Sequence, residues 1–168
     1  RGYSVVGTST AYFEHFRYGE RQALNFERGR PFGSVFDAVL GAEVAEQLGY
    51  ALGDRLVLSH GDGQLSANDH ADKPFTVVGI LRRTGTPVDR SVHISLEGME
   101  AIHLDWVAGT PMRSIAVSAD QVHRHDLTPK KVTAVLIGLK NRASVFSVQR
   151  SIAEFESEPL MAILPGVA

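Results

Sequence analysis

Phe75-Thr-Val-Val-Gly-Ile-Leu81 is the run whose reading decides the fold. It is strand-length, partly alternating and rich in β-branched residues, which fits a pleated, buried surface. After it, Thr84-Gly-Thr-Pro-Val-Asp89 reads as a turn, because Pro87 pushes Thr86 out of helical geometry. Ser91-Val-His-Ile-Ser95 then predicts a second strand. Leu96 to His103 predicts a short helix with Leu96, Met99 and Ile102 on one face. Before the opening run, Gly61 to Asp72 (GDGQLSANDHAD) is polar and turn-rich, an exposed loop. Arg55 to His60 reads as a strand entered through the turn Leu52-Gly-Asp54. Ala38 to Gly41 reads as a buried strand feeding a helix over 42–48, with Val44 and Leu48 on one face and Gly49 placed to stop it.

Further out, Tyr3 to Thr8 predicts a strand and Ala11 to Phe16 a helix, with N-cap oxygens offered by Thr8, Ser9 and Thr10. Residues 17–37 read as irregular. In the last third, Val132 to Leu139 predicts a buried strand, and 143–156 a helix with Val145, Val148, Ile152 and Phe155 on one stripe. Leu160 to Ile163 is expected as a terminal strand. Residues 108–128 have no clear pattern beyond a candidate strand at Ile115 to Ser118. Short helices and strands alternate without long βα repeats, so the fold class is α+β.

Composition bounds the function. The 168 residues suit one domain or two small lobes. With 43% hydrophobic and 21% charged residues, the chain is ordinary for a globular protein and unlike a disordered one. A net charge of -2 leaves no basic footprint for nucleic acid or anionic lipid. Without cysteine there is no disulfide, thiol nucleophile or thiolate metal site. The apolar runs 77–81 and 132–139 fall far short of the ~20 residues of a spanning helix. The chain opens on Arg1, so the expectation is a soluble domain excised from a longer protein. A complete protein with a trimmed tag is the alternative.

The histidines are the first chemistry to weigh. His123 and His125 flank Arg124, with Asp120 and Asp126 close by. In an extended segment both imidazoles point one way and become candidate metal ligands, with His60, Asp62, Asp69, His70 and Asp72 as further donors. Against this, no H-E-x-x-H and no Cys/His pattern is present, and His and Asp are ordinary loop residues. G-x-S-x-G is absent, so a hydrolase has no motif behind it. Gly61-Asp-Gly63 lacks the third glycine and the helix that a phosphate loop needs, and the calcium-loop pattern is unmatched. Tyr12, Phe13, Phe16, Tyr18 and Phe26 interleave with arginines as a nucleic-acid platform would. Glu14, Glu20 and Glu27 among them favour a helix buried by its aromatic face. Trp106, beside Asp105, reads as a partly buried anchor or an interface residue. No catalytic or cofactor-binding residue is assigned.

Several of these segments, taken in order, resemble the extracytoplasmic core domain of MacB/FtsX/LolC-type ABC transporter permeases. They are Val5 to Phe13 with Arg28-Gly-Arg-Pro-Phe32; Ala38 to Gly49 with Leu52-Gly-Asp54; Phe75 to Leu81 through Thr84 to Arg90 and Val92 to Glu97; and Val135 to Lys140 with Leu164-Pro-Gly166. The resemblance excludes 104–130. It implies a two-lobed periplasmic domain lying between two transmembrane helices of an inner-membrane protein. A discontinuous membrane-proximal lobe of 1–34 and 128–168 would flank an inserted β-rich lobe of 35–127. It further implies a non-enzymatic, mechanotransmitting role, with ATP hydrolysed on a separate cytoplasmic subunit. The implied partners are that ATP-binding subunit, a second permease copy and a periplasmic adaptor or substrate protein. No cofactor is implied. The long loops 61–72 and 104–130 are the expected contact regions. A stand-alone extracytoplasmic module binding a metal or small ligand is the alternative function.

Overall fold

The alternation in 75–81 does become a strand, and most of the fold hangs on it. The computed structural model of the chain describes residues 2–59, 72–107, 110–111 and 117–164. Its strands and helices, in chain order, are β1 (Ser4–Thr8), α1 (Ala11–His15), β2 (Arg17–Tyr18), β3 (Gln22–Ala23), β4 (Phe26–Gly29), β5 (Asp37–Leu40), α2 (Ala42–Leu48), β6 (Arg55–Leu56), β7 (Phe75–Leu81), β8 (Ser91–Ser95), α3 (Leu96–His103), β9 (Trp106–Val107), β10 (Thr110–Pro111) and α4 (Val145–Ala153).

Six strands form one mixed sheet in the order β1-β8-β5-β7-β4, with β6 also paired to β7. β1 runs parallel to β8, β5 is antiparallel to β8 and parallel to β7, and β4 and β6 are antiparallel to β7. β6 pairs with the start of β7 and β4 with its end, so both share the edge that β5 leaves open. The mixed sheet with short helices is the expected α+β class.

Period-2 alternation sorts the side chains of the central strands into two cores. On one face Ala38, Leu40, Val77, Val92 and Ile94 pack with Val44 and Ala45 of α2 and Ile102 of α3. On the other, Val39 and Leu81 pack with Phe13 of α1, Leu24, Phe32 and Val88. The early aromatic cluster is thus core: Tyr12, Phe16, Tyr18 and Phe26 close around Phe13. Because β5 and β8 are covered on both faces, every residue in them is buried.

Local chemistry fixes the boundaries. Gly49 ends α2 in the left-handed conformation at φ 70°, where a side chain is disfavoured. The Ser95 hydroxyl accepts from the Gly98 amide at 2.8 Å and caps α3. The turn after β7 closes on Asp89, whose buried carboxylate accepts from the Thr84 and Gly85 amides at 2.8 and 2.7 Å. That turn lies hard against Gly41: a Cβ there would stand 2.2 Å from the Val88 carbonyl oxygen and 2.5 Å from that of Asp89. Both obstacles are backbone. Gly41→Ala is therefore expected to destabilise the chain by about 2 kcal/mol through forced backbone movement. Denaturant unfolding checks it, and an unchanged midpoint would show that the turn yields freely.

Four expectations need correction. Residues 17–37 contain the β2–β3 hairpin and β4 in place of irregular chain, since β4 is ordered by pairing to β7. The strand expected over 55–60 is regular only at β6 within the described residues. Val132 to Leu139 and Leu160 to Ile163 form no strand.

The chain divides into two units, residues 1–132 and 133–168. β1 and β4 hydrogen-bond with β8 and β7, which places parts of 1–34 and 35–127 in one sheet. In the second unit Asn141 accepts from the Ala143 amide at 2.9 Å and starts a 3-10 turn over 142–144 that leads into α4. Gln149 of α4 donates to the Ala162 carbonyl at 3.2 Å. None of the described residues in this unit is buried: Val135 is 72% and Met161 80% exposed. Their apolarity signals fitness for burial, but a strand also needs a facing edge, and this segment pairs with none among the described residues. The candidate strand at 115–118 lies largely outside them.

Candidate functional site

The expected contact loops flank two places that the fold joins. Lys73 lies two residues ahead of β7, and Asp105 two residues beyond the end of α3. The Lys73 ammonium donates to both carboxylate oxygens of Asp105 at 2.8 Å and lies 3.2 Å from Asp72. Lys73 is only 1% exposed and Asp105 is also buried, whereas Asp72 faces solvent. A charge taken out of water is tolerated only with a well-placed counter-charge. Lys73 and Asp105 therefore tie the chain just ahead of β7 to the chain just beyond α3. Sequence reading missed this pair, since 32 residues separate its members and lysine is ordinarily exposed. Its only local signal is the position of Lys73 against the most apolar strand.

A second buried ionisable group is His93, in the middle of β8 and 1% exposed. Its Nδ1–H donates to the Val39 carbonyl at 3.3 Å. Tyr12 stacks on its ring at 5.5 Å between centroids, and Phe13 meets it edge-on at 5.9 Å. Burial lowers the His93 pKa to about 4, against a smaller opposing effect of the Val39 hydrogen bond, so the ring is neutral at pH 7. The same aromatic packing pushes the Tyr12 phenol above its ordinary value. Surrounded by hydrocarbon, this histidine serves packing.

His123 lies in a 3-10 turn over 122–124 and His125 ends it, so the extended geometry that would aim both rings one way is not what this segment adopts. Both are exposed. Beside them, hydrogen bonds from Ser118 and Thr128 hold the exposed Asp120 and Asp126 carboxyls below the usual range. Among the described residues no group of three or more His, Asp or Glu is placed to hold a metal ion. His60, Asp62, Asp69 and His70, with the Gly61-Asp-Gly63 turn, lie outside the described residues. His15 is exposed at the end of α1, and His103 Nδ1 hydrogen-bonds the Met99 carbonyl at 2.7 Å. No set of nucleophile, base and orienting group emerges from these contacts.

Comparison with known protein families decides the assignment. The family model described as MacB-like periplasmic core domain matches residues 1–155. The chain belongs to that family. No curated protein and no solved structure matches it. As a MacB-like periplasmic core domain, the chain is the extracytoplasmic part of an ABC transporter permease, a membrane protein, and its family is not itself enzymatic. No helix among the described residues is long and apolar enough to cross a membrane. The matched span takes in the whole mixed sheet and continues through α4.

Proposed function

We propose that this MacB-like domain transmits movement: ATP hydrolysed on a cytoplasmic ATP-binding subunit changes the arrangement of the full-length permease, and the domain passes that change to a substrate or a periplasmic partner. The family match over residues 1–155 carries this reading. The partners proposed are the ATP-binding subunit, reached through the full-length permease, a second permease copy, and a periplasmic adaptor or substrate protein. The membrane-proximal lobe is, in this reading, carried by 1–34 and 128–168 together, with 35–127 inserted between them. The loops 61–72 and 104–130 are the proposed contact rim.

Such a device works only if its partner binds two arrangements unequally. Reversing a 1:99 preference takes about 5.5 kcal/mol of differential binding, more than one surface ion pair supplies. The rim must therefore be held firmly, which the Lys73–Asp105 pair is suited to do. The absence of cysteine from these 168 residues makes an introduced thiol unique within the domain. In a permease whose remaining segments are cleared of reactive cysteine, it allows a direct test. Glu14→Cys, at an exposed position of α1, is spin-labelled in the full-length permease with its ATP-binding subunit in lipid. The distance distribution between the two copies is expected to change between nucleotide-free and ATP-trapped states. An unchanged distribution during active ATP turnover would overturn the proposal.

A further inference from the structure

One face of the six-stranded sheet is covered by a segment that is not hydrogen-bonded to it. Residues 9–24 leave β1 after Thr8, form α1 and the β2–β3 hairpin, and return to the sheet at β4. Their hydrogen bonds are local. The Tyr12, Phe13 and Phe16 amides donate to the carbonyls of Ser9, Thr10 and Tyr12, each at 3.0 Å. Arg17 donates to the Glu14 and Phe16 carbonyls, and β2 pairs only with β3. Among the described residues no hydrogen bond joins 9–24 to the six strands. The seam falls at Asn25, which donates back to the Ala23 carbonyl and accepts from the Arg82 amide. Side-chain burial alone holds the segment down: Phe13 and Leu24 are buried with Phe32, Val39, Leu81 and Val88, and Tyr12, Phe16 and Tyr18 close around them. A five-residue helix without a side-chain cap, such as α1, does not persist once such packing is lost.

Beneath this cover the sheet presents His93. Tyr12 lies between two rings, stacked on Phe16 at 4.8 Å and on His93 at 5.5 Å, and Phe13 meets the same imidazole edge-on. No free carboxylate faces that ring to receive a proton's charge. From α1, Tyr12 is the titratable side chain in contact with it, while Glu14 and His15 are exposed and lie 3.8 Å from each other. From β5, Asp37 shares the Val39 face, but its carboxylate already accepts from Arg30 and from the Gly33 and Ser34 amides. β1 carries no charge at all. We propose that residues 9–24 form a proton-operated flap: protonation of His93 lifts α1 and the β2–β3 hairpin off the sheet as a unit, the chain turning at Thr8 and Asn25 while the six strands stay paired. An imidazolium costs most where water cannot reach it, so acid favours the lifted form, in which water can. The low pKa of His93 in the closed form, about 4, is that cost seen from the other side. The strands keep their own hydrogen bonds and, on the opposite face, the cover of α2 and α3. The lifted form is a minority down to pH 4, and its share grows as pH falls, baring Phe32, Val39 and Leu81. This inference rests on the packing of one face and does not depend on the transport reading.

The test is native-state amide exchange of the 168-residue chain from about pH 7 to about pH 4.5, at several denaturant concentrations below the unfolding transition. Each exchange rate, divided by the intrinsic rate at the same pH, gives an opening constant. For the Phe13 and Phe16 amides it is expected to rise about fifty-fold across that range, as a histidine that titrates near 6.5 when uncovered and about 4 when covered requires. Their opening is also expected to depend on denaturant less steeply than that of the β8 amides, since less surface is exposed. His93→Phe should abolish the rise with acid while leaving α1 protected. If circular dichroism shows that variant to be unfolded, His93→Leu takes its place. Two results overturn the proposal. If Phe13 and Phe16 open only together with β8, at the same denaturant dependence, no flap exists. If their opening constant ignores pH, or still rises once the imidazole is removed, the proton on His93 does not operate it.

Discussion

Lys73→Met is expected to destabilise the chain by about 3–5 kcal/mol, the cost of leaving a buried carboxylate without its counter-charge. The geometry argues for the upper part of that range. Asp105 is buried and receives two 2.8 Å hydrogen bonds from Lys73, and the methionine replaces neither. Asp105→Leu should cost less. The ammonium it strands keeps Asp72 at 3.2 Å, and Asp72 reaches solvent. The double variant Lys73→Met/Asp105→Leu, with no charge left to desolvate, should recover most of the loss and stay within about 2 kcal/mol of the wild type. Denaturant unfolding of the four proteins gives the coupling energy directly. If the two single losses simply add, the ion pair is not what joins these two segments. If the single variants remain folded but the full-length permease loses the nucleotide-dependent distance change, the clamp contributes to transmission beyond its share of stability.

That pair also marks the limit of what the sequence revealed. β5, α2, β7, β8 and α3 are legible almost to the residue, helped by Gly49 after α2 and Pro87 in the turn between β7 and β8. The β2–β3 hairpin and β4 are not. Their residues are polar or charged, and only the edge of β7 makes Phe-Glu-Arg-Gly a strand. The error at 132–139 has the opposite form. An apolar run reads as a buried strand, yet hydrophobicity states that a segment is suited to burial and leaves open what would cover it. Site residues behave like β4: nothing near Lys73 or Asp105 in the chain announces the other. His93 was visible as a histidine and invisible as a core residue, because the strand around it is buried on both faces and alternation gives no outward side to read.

His93 makes stability depend on pH in a window that can be stated in advance. In the unfolded chain its imidazole takes up a proton near pH 6.5, and in the folded chain only near pH 4. Between those values the unfolded state holds more protons, so stability falls as pH falls, and below about pH 4 this contribution levels off. The difference in pKa corresponds to a loss of about 3 kcal/mol across the window. Phenylalanine fills similar space among Tyr12 and Phe13 and carries no proton, so His93→Phe should remove that part of the slope even if its packing shifts the stability at pH 7. Carboxylates such as Asp120 and Asp126, with lowered pKa values, lose their own small contributions at the acid end in both proteins, and the comparison cancels them. The measurement is the denaturant midpoint of wild type and His93→Phe at intervals from pH 7 to pH 4. Parallel curves would mean that the imidazole is reached by water or an acceptor when protonated, and that the aromatic shell of Tyr12 and Phe13 opens without melting the sheet.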